Sequence, residues 1–283
     1  MIEHIYNERE KKLMQDYWDH RSKEPRQNLI ELVKIIDPKE KKGQESWGYI
    51  MLDRLLTDEM VDFLLNMELG VPLYIDELAE KSGKTVEEAA RLADDLAHIG
   101  VIGYSPDKDG VDRVVLIVFV VGSMEAISCD NWRFDQYTEE AVAFRNYAVE
   151  TAAKFAPILP ISNCGIHRVV PVEEAIQNET KHASWEELTT LVEKSAGNVF
   201  AVTECVCRKV TQKYGESTGE PEFEWCLQLG RFAESSIRTG KARKITKEEF
   251  YDILADPRKK GSFMLYMAKS ISHIFAIVIL VPA

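Results

Sequence analysis

The chain has 283 residues, 45% of them hydrophobic and 29% charged, which is enough for two domains with a sizeable core. Its formal net charge of −12 disfavours nucleic-acid binding, which needs a basic surface, and suits a basic partner. No apolar run approaches the roughly 20 residues of a membrane helix. The charged N-terminus predicts no signal peptide, and the unevenly spaced cysteines argue against a secreted disulfide framework. We therefore expect a cytoplasmic protein with no membrane partner.

The first 45 residues are highly charged and predict an N-terminal helical arm. Apolar positions at helical spacing indicate two helices that are separated near Pro25. The second helix is predicted to end at Asp37-Pro38, because the residue before a proline disfavours helical geometry. The basic run at residues 39–42 is interpreted as a solvated linker rather than as a docking patch.

Residues 46–121 predict a winged-helix-like module. Thr57 is a suitable N-cap for a first helix, and a second helix follows it. Thr85 and Glu88 have the spacing of a capping box, which opens a third helix. A polar loop at residues 105–112 then separates two strands. Three helices followed by a strand, a loop and a strand is the element order of a winged helix-turn-helix.

The third predicted helix, Val86–Ile99, tests whether this module binds DNA. A recognition helix should offer Arg or Lys to phosphates and base edges. Against the single Arg91, this helix carries four acidic residues: Glu87, Glu88, Asp94 and Asp95. DNA would repel such a helix, so the module is interpreted as an interaction or scaffold domain.

Residues 122–283 predict a C-terminal α/β domain. A core helix is expected over residues 138–155, and a buried strand over 198–202. A further helix is expected after Cys226, through about Arg238, and the apolar tail at 274–282 predicts a strand. The predicted fold class is therefore an α-rich α/β protein, in which the winged-helix-like module precedes an α/β domain with a Cys-x-Cys…Cys site.

The most distinctive motif is Cys205-Val206-Cys207-Arg208, followed by Cys226. A strand that runs directly into Cys-x-Cys aims both thiols at the place where the chain turns. Thiolates are the usual ligands of zinc and of iron–sulfur clusters. Free cysteines are also often small buried hydrophobic residues. The residues alone leave both interpretations open.

A [4Fe-4S] cluster normally needs four ligands, and the motif supplies three. Candidates for the fourth are Cys164, Cys129, His167 and His182. Among these four, Cys164 is favoured because Asn163-Cys164-Gly165 is an irregular stretch close to a predicted strand; the alternative is that Cys164 is a buried loop thiol. With His167 it forms a Cys-x-x-His pair, a spacing that also suits zinc. A cluster with three cysteines and an open iron, which could bind a small molecule, is a further alternative.

The charged residues beside the cysteines have alternative roles. Arg208 could donate to cluster sulfur and offset thiolate charge, or it could form a surface salt bridge with Glu204 or Glu222. Glu204 and Glu224 are interpreted as solvated, because carboxylates are poor ligands for a soft metal site. No phosphate-binding loop, dinucleotide fingerprint, nucleophile elbow or zinc-protease motif occurs in the sequence. A nucleophilic pair of Cys205 or Cys207 with a histidine is a minor alternative.

Several motifs, taken together, resemble a family of bacterial and archaeal 4Fe-4S ferredoxin-like proteins with an N-terminal winged-helix region. They are Val-Val-Gly-Ser-Met-Glu, Arg-Val-Val-Pro-Val, Cys-Val-Cys-Arg, Trp-Cys-Leu-Gln-Leu-Gly and Gly-Lys-Ala-Arg-Lys-Ile-Thr-Lys-Glu-Glu. The resemblance covers about residues 45–255 and implies iron–sulfur electron transfer. The chain departs from the family in two places: residues 217–220 lack a cysteine, and the sequence ends without a cysteine-rich tail.

The leading hypothesis is an iron–sulfur or related metal-binding protein that acts in electron transfer or as an accessory subunit of a redox system. It would exchange electrons with a redox partner protein and would not itself be an enzyme. The expected ligands are Cys205, Cys207, Cys226 and Cys164, with zinc as the alternative metal. Other hypotheses are a winged-helix regulator that senses metal or redox state through its thiols, and an interaction module without a cluster. Self-association is left open.

Overall fold

A computed structural model describes residues 8, 11, 12, 15, 24–37, 42–117, 123–128, 140, 142–147, 167–171, 192, 199–206, 209–210, 226–255, 263–267 and 276–281. The chain divides into two compact units. The first contains Met1–Phe155 and Val210–Thr218, and the second contains Ala156–Lys209 and Gly219–Ala283. The prediction of a helix-rich mixture of helices and strands is confirmed. The division at residues 45 and 121 stays a prediction.

The first unit combines helices with a small sheet. Its elements are α1 (Gln27–Ile36), α2 (Trp47–Asp53), α3 (Asp58–Leu64), β1 (Leu73–Tyr74), α4 (Ile75–Ser82), α5 (Val86–Ile99), β2 (Ile102–Tyr104), β3 (Arg113–Leu116) and α6 (Ser123–Ser128). The strands are antiparallel in the order β1-β3-β2, so the last strand lies between the other two. Residues 140 and 142–147 are also helical, within the helix predicted at 138–155.

The helix starts follow from local capping. The Thr57 side chain accepts a hydrogen bond from the backbone N–H of Met60, which begins α3. At α5 the Thr85 hydroxyl accepts the backbone N–H of Glu88 at 3.2 Å, and the Glu88 carboxylate accepts that of Thr85 at 2.9 Å. Each bond satisfies a donor that has no partner within the helix. Both predicted caps are confirmed.

Helix α2 was not predicted because it has no amphipathic pattern. All but the last of its residues are buried, in the order Trp47, Gly48, Tyr49, Ile50, Met51 and Leu52. A helix that is buried on every side shows no polar stripe in its sequence. The helix lies within the apolar core of the first unit.

The second unit is built on a six-stranded antiparallel sheet in the order β4-β8-β9-β6-β5-β7. Its elements are β4 (His167–Pro171), β5 (Phe200–Thr203), β6 (Cys226–Leu229), α7 (Gly230–Arg238), β7 (Ala242–Ile245), α8 (Lys247–Ala255), β8 (Phe263–Met267) and β9 (Ala276–Val281). Every residue of β5 and β6 is buried, and Phe250 of α8 packs on Phe200 of β5 with ring centroids 5.5 Å apart.

The second unit corrects one prediction and confirms another. The helix expected after Cys226 is wrong over residues 227–229, which belong to strand β6. The helix begins at Gly230, whose φ of +62° marks the change of direction. At one edge of the sheet, strand β7 exposes the basic residues Arg243 and Lys244, which discourage edge-to-edge pairing. The predicted apolar tail strand is confirmed as β9.

Across the parts of both units that the structure describes, no helix is both long enough and apolar enough to span a membrane.

Candidate functional site: two buried thiols at one end of the second sheet

Cys205 lies where strand β5 passes into a helix. Thr203 is the last residue of the strand, and Val206 is already helical. The backbone N–H of Lys209 donates to the carbonyl of Cys205 at 3.0 Å, a bond that closes the first helical turn. Cys205 is 3% exposed, so its thiol is held inside the unit at this turn.

Cys226 is brought to the same end of the sheet by the register of β5 and β6. It is the first residue of β6, lies opposite Thr203 on one side and opposite Ile279 of β9 on the other, and is 4% exposed. Directly opposed Cα atoms are about 4.5–5.5 Å apart. Cys205 follows Thr203 by two residues, a reach of at most roughly 7 Å. The Cα atoms of the two cysteines therefore lie within about 13 Å of each other, and no disulfide bond joins them.

Of the other candidate ligands, the structure describes only His167. Cys207, Arg208, Cys164, Cys129 and His182 lie outside the described residues. His167 begins β4, and strands β8 and β9 separate it from β6. Three strand spacings of about 4.8 Å place its backbone roughly 14 Å from β6. Within the described ranges, no group of three or more His, Cys, Asp and Glu side chains could hold a metal ion.

Glu204 corrects the expectation of a solvated carboxylate. Its side chain is 21% exposed, and its carboxylate accepts a hydrogen bond from Nζ of Lys209 at 2.8 Å. Lys209 itself is only 8% exposed. The nearby Thr203 hydroxyl donates to the carbonyl of Lys241, another buried lysine. The thiols thus lie at a strand end that also contains an ion pair shielded from water.

A second polar site, in the first unit, fixes the loop between β2 and β3. The Tyr74 hydroxyl donates to Asp107 at 2.7 Å, and the same carboxylate accepts the backbone N–H groups of Asp109 and Val111, each at 2.9 Å. The hydrogen bond from Tyr74 is the main cause of a lowered pKa at Asp107, and it raises the pKa of Tyr74. The Arg113 guanidinium lies 5.9 Å from the centre of the Tyr74 ring. The loop therefore has a defined shape.

Helix α5, which precedes β2 and this loop in the chain, presents an acidic surface. Its exposed charged residues are Glu87, Glu88, Arg91, Asp94 and Asp95. The single arginine lies 3.6 Å from Asp95, so part of its charge is already offset. Hydrogen bonds from the backbone N–H and hydroxyl of Thr85 lower the pKa of Glu88, which keeps this carboxylate charged.

Sequence reasoning missed two polar pairs, Tyr74–Asp107 and Glu204–Lys209, for the same reason. The Asp107-Lys108-Asp109-Gly110 stretch does signal a turn, but its partner Tyr74 lies 33 residues earlier. Lys209 follows Glu204 by five residues, a spacing that does not align side chains on a regular helix. Only the transition from strand to helix between them brings the two charges together.

Comparison of the chain with protein-family models, with curated proteins and with solved structures gives no match. The class that the fold itself defines is a helix-rich α and β protein with two antiparallel sheets in its described parts.

Proposed function

We propose that the second unit binds an iron–sulfur cluster or a related thiolate-bound metal, and that the protein serves electron transfer or is an accessory subunit of a redox system. The observation that supports this proposal is the β5–β6 register, in which Cys226 lies opposite Thr203 and so at the same end of the sheet as Cys205. Cys207 follows Cys205 by two residues and is the third proposed ligand. Cys164 is the proposed fourth.

The donor chemistry of this site fits the proposal. The two buried sulfur atoms at this end of the sheet are soft donors, which favour zinc and iron–sulfur clusters over magnesium or calcium. Both cysteines are almost fully shielded from water, at 3% and 4% exposure, and shielding from solvent is one of the factors that tune a cluster's potential. When bound, a cluster supplies one-electron transfer with a redox partner protein. The role proposed for Arg208 is to offset the negative charge of the thiolates.

The test is metal analysis of protein purified without oxygen. We expect iron and acid-labile sulfide together, with a broad visible absorption band that is lost on oxidation. Zinc without sulfide would move the proposal to a structural zinc site. Protein that contains neither, and that takes up neither on reconstitution, would refute it.

Single Cys→Ser variants then assign the ligands. Replacement of Cys205, Cys207, Cys226 or Cys164 is expected to lower metal content. Cys129→Ser is the matched control, because it removes the one cysteine that is not a proposed ligand. Equal metal content in Cys226→Ser and in the control would contradict the site.

A second candidate function concerns the first unit, which we propose to be a winged-helix module that contacts a protein. The order α3-β1-α4-α5-β2-β3, with the last strand at the centre of the sheet, supports this arrangement. The acidic surface of α5 disfavours DNA, since binding there would bring like charges together. A basic protein surface is the partner that this charge suits.

A DNA mobility-shift assay at about 50 and 200 mM salt separates this module from a DNA-binding regulator, because phosphate contacts make affinity fall steeply over that range. We expect no salt-sensitive shift, with or without added metal. A shift that depends on metal or on thiol oxidation would favour the regulator, in which the thiols of the second unit sense metal or redox state.

A further inference from the structure

Glu204 and Lys209, which form an ion pair, lie on either side of Cys205 in the chain. The segment between them is the Cys205 turn. Glu204 directly precedes the cysteine, and Lys209 belongs to the first helical turn after it. The side chains meet at 2.8 Å, and the backbone N–H of Lys209 also bonds the Cys205 carbonyl at 3.0 Å. Two bonds from one lysine therefore close the same short segment.

Stability alone gives a weak reason for this pair. Removing two charges from water is costly, and apolar replacements of buried ion pairs are often neutral or stabilising. The Lys209 side chain is nonetheless only 8% exposed. What the pair does provide is a fixed geometry, because its two ends belong to the end of β5 and to the following helix.

We infer that Glu204 and Lys209 are positioning residues for the Cys205 thiol, and that they hold it toward Cys226 so that the two can share a metal. This inference rests on the proposed function of the thiol site. Outer partners that orient metal ligands typically change metal affinity by about 10–100-fold when they are removed. The ion pair has this role without contacting the metal.

Cys226 provides an internal reference, because it is held in a different way. It lies in a central strand with hydrogen-bonded neighbours on both sides, Thr203 and Ile279. Local opening of the Cys205 turn should leave that strand intact, since segments of a protein open with different free energies. Global unfolding would expose both thiols together.

The experiment measures how fast each thiol of the reduced, metal-free full chain reacts with an alkylating reagent, with the two peptides quantified separately by mass spectrometry. In Lys209→Met we expect Cys205 to react about tenfold faster or more, and Cys226 to change little. Loss of a positive charge disfavours the reactive thiolate, so faster labelling reports opening of the turn. Lys209→Arg, which keeps the charge, should restore the slow rate.

Two further variants separate positioning from simple destabilisation. Arg243→Met removes an exposed ion pair of the same unit, Arg243–Glu249 at 2.8 Å, and should alter neither rate. If Lys209→Met does not fold, the double variant Glu204→Gln with Lys209→Met leaves no unpaired charge and should again expose Cys205 selectively. Equal acceleration of both cysteines, or of neither, overturns the inference.

Cobalt titration, followed through the cobalt–thiolate absorption band, links the pair to the metal. We expect Co²⁺ to bind Lys209→Met about 10–100-fold more weakly than the unsubstituted protein, with Lys209→Arg close to normal. Absence of the band in unsubstituted protein that also takes up neither iron with sulfide nor zinc would refute the proposed metal site itself, whereas the labelling rates would still decide whether the pair positions Cys205. Normal cobalt affinity in Lys209→Met would overturn the inference and leave the metal site standing.

Discussion

Replacement of Gly100 by alanine should destabilise the first unit through a collision with backbone atoms. Gly100 ends α5 with a φ of +101°. A Cβ at this position would lie 2.5 Å from both the carbonyl carbon and the carbonyl oxygen of Ala126, and 2.8 Å from the backbone nitrogen of Ile127. Both residues belong to α6, so no side-chain rotation can relieve the contact. The helix itself must move.

The expected cost has two parts. A left-handed conformation costs a residue with a Cβ roughly 1–2 kcal/mol. Forcing extra volume into a packed site costs roughly 1–3 kcal/mol more, while the stiffer unfolded chain returns about 0.4–1 kcal/mol. Gly100→Ala should therefore lower the free energy of unfolding by about 2–4 kcal/mol, measured by urea denaturation followed by circular dichroism.

Gly83→Ala is the matched control for this prediction. Gly83 ends α4 with a φ of +67°, and a Cβ there would meet nothing within 4 Å. Gly83→Ala should lower the free energy of unfolding only by the cost of the left-handed conformation, about 1 kcal/mol. If the free energies of unfolding of the two variants differ by less than about 0.5 kcal/mol, the close approach of α5 and α6 is refuted, since the cost of overpacking would then be missing.

Three further predictions use the same denaturation assay. Thr85→Ala removes the α5 cap and should cost about 0.5–2 kcal/mol, whereas substitution of the exposed Lys108 should be close to neutral. Phe250→Ala, which empties a fully buried site against Phe200, should cost about 3–5 kcal/mol in the second unit; a cost below 1 kcal/mol would contradict that packing. The lowered pKa of Asp107 contributes stability that is full above its unfolded pKa of about 4 and is lost as the pH falls through the folded value. Asp107→Asn should therefore be less stable at neutral pH and should show less loss on acidification; identical pH profiles would contradict this linkage.

Features that depend on neighbouring residues were predictable from the sequence. The bounds of α5 follow from its capping box and from the glycine after its last residue, and both signals act within a single turn. The caps at Thr57 and Thr246 are local in the same way, and the Thr246 hydroxyl accepts the backbone N–H of Glu249 at 3.1 Å. Nothing distant has to be known to place these helix starts.

The central strands of the second sheet were less predictable because partners far along the chain determine them. The four residues of β6 are too few to show a period, and they become a strand between β5 and β9. Strand β9 begins about 50 residues later, and its pairing decides that Cys226 starts a strand rather than a helix. Short apolar runs of this kind remain ambiguous until their partners are known.

The candidate site likewise depends partly on residues that the sequence reveals and partly on pairing between distant strands. The sequence singles out Cys205 and Cys226 as thiols of interest, but their separation of 21 positions does not determine whether they meet. The register Thr203–Cys226 brings them to one strand end. The sequence also misled the interpretation of Glu204: a carboxylate beside cysteines suggests a solvated charge, whereas here the buried Lys209 covers it.

The way the two thiols are held determines how a metal could act at this site. Cys226 belongs to a strand that is paired on both sides, whereas Cys205 belongs to a turn closed by one lysine. Ligand positions that are already fixed lower the ordering cost of binding, so the turn carries most of the cost that remains. A metal bound at both sulfur atoms would stabilise the turn more than the sheet. Variants in which the Cys205 turn is less ordered should therefore bind metal more weakly, even where their global stability is unchanged.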